Sequence, residues 1–144
     1  MMLPPQFAIG VMHYRDFYSA ESPHARIVIP VEVEGLLLHA ILDTGAPWCV
    51  VNPTRTDELE VDVTAGIRAS RPLNVRGIQY QGWICRLSVR LVAEKGQDLY
   101  LEPPVFIPEA AEWLLPNFVG LTGFLSNMRW AVDPGENLFY FGPL

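Results

Sequence analysis

The stretch Ile41-Leu42-Asp43-Thr44-Gly45-Ala46 ends an apolar run on an acid, then adds a hydroxyl, a glycine and a small residue. A carboxylate at the tip of a buried strand is costly unless it is hydrogen-bonded or paired. Gly45 allows a turn tight enough to bring backbone N–H groups to that carboxylate, and the Thr44 hydroxyl can bond across to a neighbouring copy of the same turn. An acid held in this way is a candidate for general acid–base chemistry. Asp, Thr and Gly are also ordinary turn residues, so the tripeptide alone is readable as a polar cap on a strand.

No other grouping competes with it. His13, His24 and His39 lack metal-ligand spacing, and Cys49 and Cys85 are too few and too far apart for a zinc site. Cys49 has no basic partner nearby in sequence, and Ser126 has no Gly-x-Ser-x-Gly setting. Without a glycine-rich phosphate loop there is no nucleotide signature. The expectation is a site with no metal and no cofactor.

The elements that would position Asp43 read as short strands. Ala25–Glu34 alternates with period two, and Pro30 suggests an edge position or a bulge. After the turn Glu34-Gly35, Leu36–Leu42 is almost wholly apolar, as a strand covered on both faces would be. Trp48–Val51 is β-rich, and Pro53–Glu60 suits one short helical turn. Trp83–Val92 places Cys85, Leu87, Val89 and Leu91 on one face and Arg86, Ser88 and Arg90 on the other, the latter a solvated face. Glu94–Gln97 reads as a hairpin loop into Leu99–Ile107, and Pro108 as the start of a helix through Glu109–Leu115. Gly123–Arg129 suits one or two helical turns, and Trp130–Phe141 a closing hairpin about Pro134-Gly135-Glu136-Asn137. Residues 1–24 read as an arm or an extra strand, and residues 25–144 as a single all-β domain.

Composition sets the outer limits. At 144 residues the chain is long enough to bury a core without disulfides. Its 13 prolines, roughly twice the average rate, disfavour long helices. The net charge of −6 argues against nucleic acid as a partner. The opening residues lack the basic and apolar regions of a signal peptide, and no apolar run spans a membrane. The expected compartment is the cytoplasm, with both thiols reduced.

Ala25–Val51 resembles the active-site half-lobe of the retropepsin-like aspartic proteases: a hairpin, two apolar residues, Asp-Thr-Gly-Ala, then a short β run. Leu115–Leu125 is similar to that family's apolar–apolar–Gly segment and following helix, with Phe118, Val119 and Gly120 behind the catalytic loop; Trp130–Pro134 continues the match. The chain departs from the retroviral pattern in three places. Leu121-Thr122-Gly123 makes the second segment one residue longer, Pro47 and Trp48 replace polar residues, and the flap, placed at Pro72–Trp83, holds only Gly77 and Gly82.

The resemblance implies a closed β-barrel of the acid-protease half-lobe kind, with one or two short helices. It implies Asp43 as the catalytic acid, with Thr44, Gly45, Ala46, Phe118, Val119 and Gly120 supporting the loop. Gly77, Tyr80 and Trp83 become the expected flap contacts to a peptide or protein substrate. Such chemistry needs two facing carboxylates, and the chain has one Asp-Thr-Gly. The second acid is then Asp43 of a two-fold homodimer partner, the pair sharing one proton. Among Arg68, Arg71, Arg76, Arg86 and Arg90 the ordinary role is solubility, although a flap at Pro72–Trp83 would bring some to acidic or polar substrate side chains. Two other readings stay open: a catalytically inactive peptide-binding or dimerisation module of the same fold, and an unrelated β-domain whose Asp-Thr-Gly is only a turn.

Overall fold

The computed structural model describes residues 5–21, 24–55, 58–109 and 116–144. Strands β1 (Gly10–His13), β2 (Val28–Val33), β3 (Leu36–Leu42) and β4 (Cys49–Val50) lead into β5 (Ile67–Arg68), β6 (Leu73–Val75), β7 (Ile78–Tyr80) and β8 (Gly82–Arg86). Then follow β9 (Val89–Leu91), β10 (Lys95–Gly96), β11 (Leu99–Leu101), β12 (Pro104–Pro108), β13 (Asn117–Val119), β14 (Met128–Asp133) and β15 (Leu138–Pro143). The only helical segments among the described residues are 3-10 turns at Pro53–Arg55, Val63–Ala65 and Leu125–Asn127. Among the described residues no helix is long and apolar enough to cross a membrane.

Nine strands form one sheet in the order β11-β9-β2-β3-β13-β4-β12-β8-β5. Ile29, Val31, Leu38, Ala40, Leu87, Val89, Val105, Ile107 and Val119 bring its inner faces to a common core. The alternation in residues 83–92 survives a break at Leu87-Ser88: Cys85, Leu87, Val89 and Leu91 are all buried, while Arg86 and Ser88 are exposed. A second sheet, β10-β1-β15-β14, is closed by the hairpin read at residues 130–141. Gly10–His13 is an inner strand of that sheet, so the early part of the chain contributes a strand. A smaller cluster, Val50, Ala69, Leu73 and Phe106, seats the β6–β7 hairpin.

Pro30 fits its strand because of parity. Val28 exchanges hydrogen bonds with Arg15, Glu32 is in register with Arg90, and Pro30 falls between them on that edge. Its missing N–H therefore points into a gap in the ladder.

Several expectations are corrected. Leu36–Leu42 is not covered on both faces throughout: Leu37 is 54% exposed, and only Ala40 and Ile41 are successive buried residues. Leu99–Ile107 is two strands, because Glu102-Pro103 interrupts the ladder. Pro108 ends β12 rather than starting a helix, and residues 110–115 lie outside the described residues. Gly123–Arg129 yields only the 3-10 turn Leu125–Asn127, since Gly123 takes φ +74° and Met128 already belongs to β14.

Candidate active site

The strands joined by the Asp43 turn are not neighbours. β13 is inserted between β3 and β4, parallel to the first and antiparallel to the second. The chain must therefore leave β3, arch over the end of β13 and return as β4, and Asp43 stands where the arch begins. Asp43 N–H donates to the Val119 carbonyl at 3.0 Å, and Ala46 N–H donates to the Asp43 carbonyl at 3.1 Å. The Asp43 carboxylate accepts from Gly45 N–H at 2.9 Å. Backbone and side chain of the acid are thus both held by the loop that the sequence singled out.

Val119 and Gly120 are buried behind the turn, with Phe124 and Leu125 buried beneath. Phe118 pairs between Ile41 and Val50 and also reaches the cleft. A Cβ on Gly120 would meet the Trp48 and Ala46 carbonyl oxygens at 2.3 and 2.6 Å, so only glycine allows this approach. The longer connection is put to use: Leu121 N–H donates to the Ala46 carbonyl and Thr122 N–H to the Pro47 carbonyl, each at 2.9 Å. Thr44 is exposed at the outer surface of the turn, and Ala46 is half-buried.

Asn117 was not singled out in the sequence. It is buried, its Oδ1 accepts from Asn52 N–H at 2.7 Å, and its Nδ2 donates to the His39 carbonyl at 3.2 Å. It ties β3 to the segment after β4, across the base of the arch. An asparagine beside a proline reads as a turn in sequence, which hides this role.

Asp43 borders a cleft of about 470 Å³. One wall is the arch, with Leu42, Gly45, Ala46 and Pro47, and another is the hairpin strand, with Leu73, Asn74, Val75 and Arg76. The β6–β7 hairpin, within Pro72–Trp83, thus stands beside Asp43. Gly77 is at the exposed tip, where Arg76 and Gly77 have φ +53° and +81°, a type I′ turn. Leu73 is in register with Tyr80 and Val75 with Ile78, so these side chains share a face. Tyr80 packs into the cluster of Val50 and Phe106 that anchors the hairpin, and Trp83 packs on the main core beneath the Arg68 guanidinium, 5.2 Å from its ring centroid. Neither lines the cleft, and neither does Gly77.

Cys49 and Cys85 are unpaired and buried, and burial pushes the Cys49 thiol up to about 11, so it is no nucleophile. No group of metal-ligating side chains occurs among the described residues.

No family model and no curated protein matches the chain. Solved structures do. A retropepsin-like aspartic protease from Rickettsia conorii matches over 92% of this chain and 98% of its own, with TM-score 0.59 and 16% identity. The retroviral protease-like domain of Ddi1 from Leishmania major matches over 83% and 94%, with TM-score 0.53 and 16% identity. The EIAV protease complexed with the inhibitor HBY-793 matches over 72% and 86%, with TM-score 0.51 and 15% identity. The chain has the retropepsin-like fold, all-β and built around the arch that carries Asp43.

Proposed function

We propose that the protein is an aspartic endopeptidase working as a two-fold homodimer, with one Asp43 from each subunit forming the catalytic pair. The observation that carries this reading is the Asp43 turn. It holds a single carboxylate, fixed by Gly45 N–H, at the wall of a cleft that also has a hairpin on one side. A lone carboxylate so placed lacks the second acid that shared-proton chemistry requires, and a two-fold axis at the exposed Thr44 side of the arch would supply it. Two carboxylates at contact distance hold one proton between them.

In that pair the ionised Asp43 takes a proton from a water as its oxygen attacks the peptide carbonyl, while the protonated Asp43 donates to the carbonyl oxygen. The tetrahedral gem-diol then breaks its C–N bond: the Asp43 that took the water proton gives it to the leaving amine, and the other Asp43 takes back a hydroxyl proton as the carbonyl re-forms, which restores the singly protonated pair. The reaction needs water and the two carboxylates, with no metal or cofactor. Peptide or protein is the substrate, and the buried, unpaired cysteines favour a reducing compartment such as the cytoplasm.

The test is hydrolysis of an unfolded protein substrate by the wild type and by Asp43→Asn between acidic and neutral pH, with the oligomeric state followed by sedimentation. Cleavage lost in the variant, with the dimer retained, supports the reading. Equal cleavage by both proteins, or a strict monomer that still cleaves, overturns it.

A further inference from the structure

Among the described residues three charged side chains line the cleft: Asp43, Arg26 and Arg76. The two arginines come from different elements, Arg26 from the segment entering β2 and Arg76 from the tip of the β6–β7 hairpin. Apart from Asp43 the other lining side chains are apolar or neutral, among them Leu42, Leu73, Val75 and Phe118. The cleft is thus locally positive in a protein whose net charge is −6.

Most other arginines of the middle third are occupied. Arg68 pairs with Glu109 at 2.6 Å, Arg90 with Glu32 and Asp98, and Arg86 donates to the Glu102 carbonyl. Among the described residues neither Arg26 nor Arg76 forms an ion pair, and the Arg26 guanidinium donates only to the neighbouring Ala25 carbonyl.

Arg76 also stands where an arginine is out of place. Its φ of +53° begins a type I′ turn, a position that Asn, Asp or Gly adopts with less strain. Glu34 has the same left-handed backbone at the β2–β3 turn, with φ +49°, but its carboxylate serves the fold by accepting from Ser88 N–H at 2.8 Å. Among the described residues the guanidinium of Arg76 forms no comparable contact. Its position points to a partner that enters the cleft.

We propose that Arg26 and Arg76 select peptides carrying acidic side chains beside the apolar residues that fill the cleft. The proposal rests on the cleft being the peptide site. A planar guanidinium binds a carboxylate through paired N–H donors, and a low-dielectric apolar floor strengthens that contact over its strength in open water. In a two-fold dimer each half of the cleft would carry the same pair, so an acid is favoured on both sides of the scissile bond.

The test separates recognition from catalysis by measuring binding to the Asp43→Asn protein. Fluorescence anisotropy compares a labelled peptide of two leucines flanked by glutamates with the same peptide carrying glutamines. The glutamate peptide should bind about tenfold more tightly at low salt, with the advantage shrinking at high salt. Adding Arg76→Asn, which suits the left-handed turn better, should raise thermal stability while reducing the preference. Adding Arg26→Gln as well should bring the ratio to about one. Arg76→Lys should retain part of the preference. Equal binding of the two peptides, or a ratio unchanged in the arginine variants, overturns the proposal. If the wild type cleaves neither peptide yet the Asp43→Asn protein keeps the preference, selectivity stands and the endopeptidase reading falls.

Discussion

Gly120 is packed against the carbonyl oxygen of Trp48 so closely that a methyl group on it would lie 2.3 Å from that oxygen. The contact joins the segment after β13 to the return limb of the Asp43 arch, and both partners are backbone, which cannot rotate aside. Gly120→Ala should therefore destabilise the protein by about 1–3 kcal/mol and displace the arch. Urea denaturation measures the first effect. Activity at a temperature where the variant remains folded measures the second, which should exceed what the lost stability explains. A variant with wild-type stability and activity would mean that the arch is not held from behind.

Asn117→Leu should cost about 1–3 kcal/mol for each of the Asn52 N–H and His39 carbonyl left without its side-chain partner. Hydrogen exchange should locate the loss at residues 50–55, next to the Asn52 bond. A loss spread evenly over the chain would argue for general core damage.

Asp43→Asn should lower the hydrolysis rate by at least about 10²–10⁴-fold and leave sedimentation unchanged. The wild type should give a bell-shaped pH profile, because only the singly protonated pair is competent. A profile that rises monotonically to alkaline pH would point to another nucleophile.

Acid should loosen the small sheet through Glu94. Burial raises its pKa, but hydrogen bonds from the His13 backbone N–H and ring outweigh this, and the net shift is downward. The folded state thus favours the carboxylate. Its contribution is fully present above the ordinary glutamate value and is lost as pH falls through the lower folded value. Thermal melts of Glu94→Gln should show a lower Tm than wild type near neutrality and convergence at acid pH. Parallel curves over the whole range would exclude this linkage.

What could be read from the sequence, and what could not, divides along a physical line. The Asp43 turn and Gly120 were legible because tight backbone approach leaves few choices of residue, so glycine and small residues stand out at fixed places. The partial exposure of Leu36–Leu42 was hidden, since an apolar run carries no period to show that Leu37 faces out. Tyr80 and Trp83 become substrate contacts only through the resemblance, which places the flap at Pro72–Trp83. Tyr80 instead packs on the anchoring cluster with Leu73, its cross-strand partner, and that packing is set by distant Val50 and Phe106. Asn117 acts across elements distant in sequence, which no local pattern records.

The strand pairing of the small sheet has a consequence for the time at which the Asp43 arch can form. Gly10 lies in register with Phe141, and His13 with Leu138, so β1 has its central neighbour near the opposite end of the chain. During synthesis β1 leaves the ribosome well before β15 and must wait, with one edge unpaired, until β15 emerges. The same final stretch follows β13 and the Gly120 support, without which the arch at Asp43 has no floor. A nascent chain of this kind would carry Asp43 long before the arch that holds it could close.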